Sequence, residues 1–338
     1  MKKKALLLVL IFVAIVLAAC GGSSDDEGGA GESDTGGSGE VTTLRLAENH
    51  PDDYPTTVGD KEFARLVEEK TDGRYVVEVF SGGQLGEESE VLEQAQLGTI
   101  DIARVNSIPL AQFSEDIGVL SMPYLFDDEQ AKWDKLNGEV GQDLLATLDG
   151  SNLVGLAFYD SGERSFYNTE HAIVTPEDME GLKIRVQNSE LAIDIVEALG
   201  ASATPMEYGE VYSALQTGVI EGAENNFPSY FTSNHFNVAP YFTVNGYQGN
   251  PEVLLASESL WNDLSDEDKE LFKEAALESV EVQRQAWAEL TEEAREAVVE
   301  AGSELVEVDD VAAWRDAVQP VYDKYGDQFG EWIDRLTE

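Results

Sequence analysis

Apolar and polar residues alternate over residues 43–48 and again over 75–80, the period of two that marks a strand. Between them Phe63, Ala64 and Val67 recur at helical spacing within 58–71, and Asp72-Gly73 ends that helix. A Gly-rich loop at 81–86 leads to a predicted helix over 87–97, stopped by Gly98, and to a strand over 100–105. One helical stretch at 129–148 and a strand at 153–159 follow. A strand at 182–186 and helices at 189–199 and 210–217 continue the alternation. Strand and helix in this order predict an α/β protein with largely parallel sheets.

Two segments break the rhythm. Residues 252–301 contain neither Gly nor Pro, and Ser265 followed by Asp266, Glu267 and Asp268 reads as an N-cap with acids in the first turn. A helix over 266–301 would be about 54 Å long, enough to join two lobes, and a pair of shorter helices is the alternative. At the other end, residues 2–4 are lysines, residues 5–19 are apolar, and the run ends in Leu17-Ala18-Ala19-Cys20. The run is shorter than the ~20 residues of a membrane span and fits a signal segment whose end resembles a lipobox. Cleavage before Cys20 would leave its thiol to carry a lipid. Residues 21–40 are rich in Gly and Ser, with six acids and no base, and read as a tether.

The chain has 338 residues, long enough for two domains with real cores. Its net charge of −46 argues against nucleic-acid binding, which needs basic patches against phosphate. Cys20 is the only cysteine, so no internal disulfide and no cysteine metal cage can form. His50, His171 and His235 lie far apart, so no metal site and no cofactor are predicted.

Cations are scarce, which makes their positions informative. Across residues 152–250 only Arg164, Lys183 and Arg185 occur. In Leu182-Lys183-Ile184-Arg185-Val186 a core-facing Ile184 and Val186 would put Lys183 and Arg185 together on the other face. A guanidinium at the carboxyl end of such a strand would grip a carboxylate with two bonds, though an arginine paired with one of the many acids fits equally. Asn225 and Asn226 offer donors and acceptors to a hydroxylated ligand, or form a plain turn. Ser165 near Glu163 and His171 lacks the sequence context of a hydrolase nucleophile.

The same residues carry a resemblance. Gly83-Gln84-Leu85-Gly86, Gln96-Leu97-Gly98-Thr99-Ile100-Asp101, Pro123-Tyr124-Leu125-Phe126, the stretch 175–186, Thr204-Pro205-Met206, the stretch 210–218 and Gly222-Ala223-Glu224-Asn225-Asn226 resemble the DctP-type solute-binding proteins of tripartite ATP-independent periplasmic (TRAP) transporters. The resemblance spans residues 42–335 and implies a periplasmic-binding-protein-like α/β fold, with two lobes and a long helix spanning both. The lobes would be 41–161 plus 251–290 and 162–250 plus 291–338, after a signal segment 1–19 and a tether 20–40. It implies capture of an organic acid without catalysis, in a cleft where Arg185 and Arg164 meet the carboxylate and Asn225 lies in the pocket. Asn49, Glu88 and Asn106 from the first lobe, with Tyr208, His50 and Asn226, complete the expected site. The Ala-Glu-Asn-Asn run resembles a branch associated with sugar acids such as uronates, with C4-dicarboxylates as the alternative ligand and presentation to a sensor kinase as the alternative role. The implied partners are the large and small TRAP membrane subunits and, through the lipid, the membrane itself; a monomer outside the cytoplasm, in the periplasm or on the outer face, is expected.

Overall fold

The computed structural model describes residues 41–127 and 129–338. The predicted signal segment, Cys20 and the tether lie outside them. The described residues build two mixed sheets. The first takes β1 (Thr42–Ala47), β2 (Tyr75–Phe80), β3 (Ile102–Asn106), β4 (Leu153–Tyr159) and β10 (Glu252–Ser257), in the order β2-β1-β3-β10-β4. The second takes β5 (Arg164–Asn168), β6 (Lys183–Val186), β7 (Ser202–Pro205), β8 (Gly222–Asn225), β9 (Tyr241–Gln248) and β11 (Glu304–Glu307), in the order β11-β9-β5-β8-β6-β7.

The expectation of largely parallel sheets holds only where helices connect the strands. β1 pairs parallel with β2 and β3, across the helices α1 (Pro55–Lys70) and α2 (Glu88–Gln96). β6 likewise pairs parallel with β7 and β8. The chain passes from β4 to β5 through residues 160–163, and returns from β9 to β10 through 249–251. No crossover helix sits in these linkers to impose a parallel partner. Accordingly β10 runs antiparallel to β3 and β4, and β5 antiparallel to β8 and β9.

The segment without Gly or Pro is one helix, Asp266–Glu300, capped by the Ser265 side chain at Asp268 N. Its 35 residues make a rod of about 52 Å. Phe272, Ala275, Ala276, Ser279, Gln283 and Trp287 form its buried stripe. Gln283 bonds both the N–H and the carbonyl of Asp160, each at 2.8 Å, which fixes the rod to the first linker. Gly162 has φ +59° and sits so close that a Cβ would lie 2.8 Å from the Trp287 indole nitrogen, so this linker position demands glycine.

The stretch predicted as one helix over 129–148 is instead two, Glu129–Leu136 and Glu139–Ala146. The chain turns at Asn137-Gly138, so tightly that a Cβ on Gly141 would overlap the Leu136 carbonyl. The C-terminal helix Gln319–Thr337 lies against the 3-10 segment Glu115–Ser121, with Phe329 on Gly118, and against the helix Glu190–Ala198, where Lys324 and Tyr325 meet Asp194. Among the described residues no helix is long and apolar enough to cross a membrane.

Candidate functional site

β3 is an inner strand of the first sheet, and it carries Arg104 between β1 and β10. This guanidinium is 1% exposed and all five of its N–H groups are used. Nε donates to Glu48 Oε2 (2.8 Å), Nη1 to Glu88 Oε1 (3.0 Å) and Glu252 Oε2 (2.6 Å). Nη2 donates to Glu48 Oε1 and Asn49 Oδ1. One buried cation therefore serves three carboxylates. The charges divide unequally. Burial alone would raise Glu48, but its double bond to Arg104 outweighs that and holds it at about 2. Glu88 is pushed up to about 7 by burial, against the pull of Arg104 and with a push from Glu252. Asp60, sealed beneath, is raised by burial and by Glu48. Asn106 ties the group together, donating to Glu252 Oε1 (2.8 Å) from its side chain and to Glu88 Oε1 (3.0 Å) from its backbone.

The second sheet brings two more arginines. The antiparallel register Ser165↔Asn225 places Arg164 beside Glu224 and Asn225. Arg164 grips Glu224 with Nε and Nη2, and donates from Nη1 to Asn225 Oδ1 (3.1 Å). Tyr247 adds a hydroxyl to Glu224 at 3.0 Å. Arg164 thus arrives already neutralised, which the sequence reading did not anticipate. Arg185, on β6, does not. It is 3% exposed, its Nε and Nη2 donate to the Met206 carbonyl at 2.9 and 2.7 Å, and among the described residues no carboxylate lies within ion-pair distance. Burial holds its pKa below the usual arginine value, and Arg164 pushes the same way against Glu224. Lys183 does not join it: that side chain is exposed and faces Glu221.

All nine residues expected in the site line one cavity: Asn49, His50, Glu88, Asn106, Arg164, Arg185, Tyr208, Asn225 and Asn226. Gln187, Ser229 and Glu252 also line it and were missed. The cavity between these side chains is small, about 20 Å³. His50 stacks on Tyr54 at 3.8 Å, and burial, then Arg104, lowers its pKa to about 3, so the imidazole is neutral. Tyr54 reaches Ser229 Oγ at 2.7 Å, joining the two sheets across the cavity. Ser165, Glu163 and His171 form no catalytic group: Ser165 Oγ accepts from Gly246 N, and His171 sits at the surface against the Asp178 carbonyl.

An arrangement with a buried cation that has no carboxylate partner among the described residues, a polar lining and two sheets joined by short linkers suits reversible capture. The chain matches the family model DctP, "Bacterial extracellular solute-binding protein, family 7", over residues 46–328. It belongs to that family. This DctP-family protein is 37% identical over 289 residues to a solute-binding protein of Chromohalobacter salexigens, covering 86% of each chain. It is also similar to a TRAP periplasmic solute-binding protein of a Bradyrhizobium species solved with galacturonate (TM-score 0.85, 40% identity, 87% of this chain and 99% of that one). A third relative, from Roseobacter denitrificans, was solved with β-D-glucuronate (TM-score 0.85, 38% identity, 88% of this chain and 100% of that one). As a TRAP-type DctP protein the chain is an extracytoplasmic binding receptor of a transporter, and it acts by binding rather than by catalysis.

Proposed function

We propose that this protein captures a hexuronate and delivers it to the large and small membrane subunits of a TRAP transporter. The observation that carries the reading is Arg185, a buried guanidinium whose outer N–H groups have no carboxylate partner among the described residues. Only a ligand anion would complete it, and Nη1 with the second proton of Nη2 offers the two-pronged face a carboxylate fits. The opposite wall argues for the rest of the ligand. Glu88 and Glu252, held by Arg104, and Asn49 and Asn106 accept and donate to hydroxyls, but they repel a second carboxylate. A polyhydroxylated monocarboxylate therefore suits the pocket better than a C4-dicarboxylate. The uronates bound by the Bradyrhizobium and Roseobacter proteins are of that chemistry.

In this reading Asn225, Asn226, Tyr208 and His50 wall the sugar, and Arg164 supports the site through Glu224 and Asn225. The two lobes, 41–161 plus 251–290 and 162–250 plus 291–338, close on the ligand as a monomer. Signal-peptide cleavage and lipidation at Cys20 then hold the protein near the membrane by the acidic tether. Calorimetric titration with galacturonate, glucuronate, aldonates and succinate tests the ligand. Binding of a uronate at least tenfold tighter than succinate is expected; preference for succinate refutes the assignment.

A further inference from the structure

Three buried carboxylates, Glu48, Glu88 and Glu252, share the single cation Arg104 on the first sheet's side of the cavity. Glu48 takes bonds from both Nε and Nη2, while Glu88 and Glu252 divide Nη1. The two oxygens of Glu88 differ. Oε1 accepts from Arg104 Nη1 and from the Asn106 N–H, each at 3.0 Å. Oε2 meets Gln187 Nε2 at 3.5 Å, the long limit of a hydrogen bond. Gln187 directly follows β6, so this contact joins the two sheets across the cavity. The Gln187 Oε1 atom is buried and has no hydrogen-bond partner among the described residues.

A buried amide oxygen without a donor, next to a carboxylate oxygen held by one long contact, fits a carboxylic acid better than a carboxylate. With the proton on Glu88 Oε2 and the Gln187 amide turned over, the acid donates to the amide oxygen and both groups are satisfied. Charge points the same way. Around Glu88 stand Arg104 on β3, Glu48 after β1, Glu252 on β10, Arg185 on β6, Glu207 and Tyr208 after β7, and Glu87 and Glu90 on its own helix. His50, kept neutral by burial and Arg104, lines the same cavity. Arg104, the Asn106 N–H and the start of α2 favour the ionised form, but burial, Glu252 and Glu48 oppose it and hold the group at about 7. The cavity, about 20 Å³, has room for about one water, so a charge on Oε2 finds little solvent there. A ligand carboxylate on Arg185 adds a negative charge and cancels the cation of the facing wall.

We propose that closure on the bound acid takes up one proton from solvent, carried on Glu88 Oε2 and donated to the Gln187 carbonyl, and that capture therefore weakens as pH rises. The proposal rests on the reading of the cavity as a uronate site. When the lobes part, Glu88 regains water and loses Gln187, and the proton returns to solvent. The sign follows: a group that binds its proton more tightly in the closed complex than in the open protein strengthens binding at low pH, and that gain is lost as pH rises through about 7.

The test is calorimetric titration of the full chain with galacturonate in PIPES and in imidazole, buffers whose ionisation enthalpies differ. The dependence of the observed enthalpy on the buffer counts the protons. Uptake of about half a proton per ligand is expected at pH 6.5, with Kd about tenfold larger at pH 8 than at pH 5.5. The uronate carboxyl stays ionised throughout this range and adds nothing to the count. Glu88→Gln mimics the acid, since its Oε1 can keep the bonds from Arg104 and Asn106 while its Nε2 donates to Gln187. It should take up no proton, show a flat pH profile and bind more tightly than wild type at pH 8. Glu252→Gln removes one opposing charge and should move the midpoint of the profile to lower pH, which a merely structural role would not do. Wild-type protein that binds uronate without taking up a proton overturns the proposal and leaves the ligand assignment standing. Uptake that persists in Glu88→Gln assigns the proton to another group, such as His50 or Glu87, and overturns it too. Should Glu88→Gln fail to fold, an unmoved midpoint in Glu252→Gln has the same force. Wild-type protein that binds no uronate overturns both the proton and the ligand assignment.

Discussion

Replacing Arg185 with methionine separates binding from folding. The side chain has similar length and keeps the packing, but it removes the cation and orphans the Met206 carbonyl that accepts from Nε and Nη2. For the ligand, two charge-assisted hydrogen bonds disappear, together about 3 kcal/mol, or more than a hundredfold in Kd. At a ligand concentration one hundred times the wild-type Kd, the wild-type protein gains about 2.7 kcal/mol of stability. The variant, then near its own Kd, gains only about 0.4 kcal/mol. At about 2 °C per kcal/mol, a ligand shift near 5 °C shrinks below 1 °C. Without ligand, relief of a buried cation that lacks a counter-ion and loss of the Met206 bonds oppose each other, so the melting temperature should stay within about 2 °C of wild type. Scanning calorimetry with and without galacturonate measures both. Unchanged affinity refutes the role of Arg185. A ligand-free loss of 6 °C or more refutes it as well, because breaking a structural ion pair costs about 3–5 kcal/mol.

Arg185→Lys keeps the charge but not the two-pronged face, and titration should show at least tenfold weaker binding with folding intact. Glu88 gives a pH signature: its carboxyl titrates at about 7 when folded against 4.5 when free, so its contribution to stability falls as pH rises from about 4.5 to about 7. Glu88→Gln should remove that slope from a pH series of urea melts, and an unchanged slope counts against it. Without the six tether acids and the lysines 2–4, the remainder has 61 acids and 18 bases, a net charge of −43. The exposed acids Glu289, Glu292, Glu293 and Glu296 of the long helix illustrate where it lies. Stability and ligand on-rate should both rise from 0.01 M to 1 M salt as the Debye length falls from about 30 to about 3 Å, in keeping with a saline habitat; a steady fall of the on-rate in stopped flow contradicts this. Cys20→Ser should leave the precursor unlipidated, and wild-type protein without lipid by mass spectrometry would remove the anchor.

Local pattern carried most of the elements because each rests on neighbours in sequence. Phe63 and Val67 mark α1, Ser265 and the acids after it mark the long helix, and Gly98 closes the loop after α2. The split at Asn137-Gly138 was harder to read, since its cause is the approach of Gly141 to the Leu136 carbonyl. The strand directions were hidden for another reason: β10 takes its place from a linker that arrives from the other sheet. The site divides along the same line. Motif residues such as Arg185 and Asn225 were legible from the chain. Arg104 was not, because its partners Glu48, Glu88 and Glu252 are 56, 16 and 148 positions away and meet it only through sheet pairing and the start of α2. Glu224 escaped notice as the counter-ion of Arg164 although it stands next to Asn225, since only the β5–β8 register reveals the pairing.

That pairing has an evolutionary consequence. On the proposed reading, the charge of the ligand follows from how many guanidiniums lining the cavity lack an internal counter-ion. Of the two, Arg164 is paired with Glu224, and Arg185 has no carboxylate partner among the described residues. Glu224→Gln keeps the shape and a hydrogen bond to Arg164 but frees a second unit of positive charge on the wall of the cavity that Arg185 also lines. A single nucleotide change in one codon could thus carry a descendant of this protein from singly to doubly charged nutrients, with the fold, the linkers and the long helix left untouched.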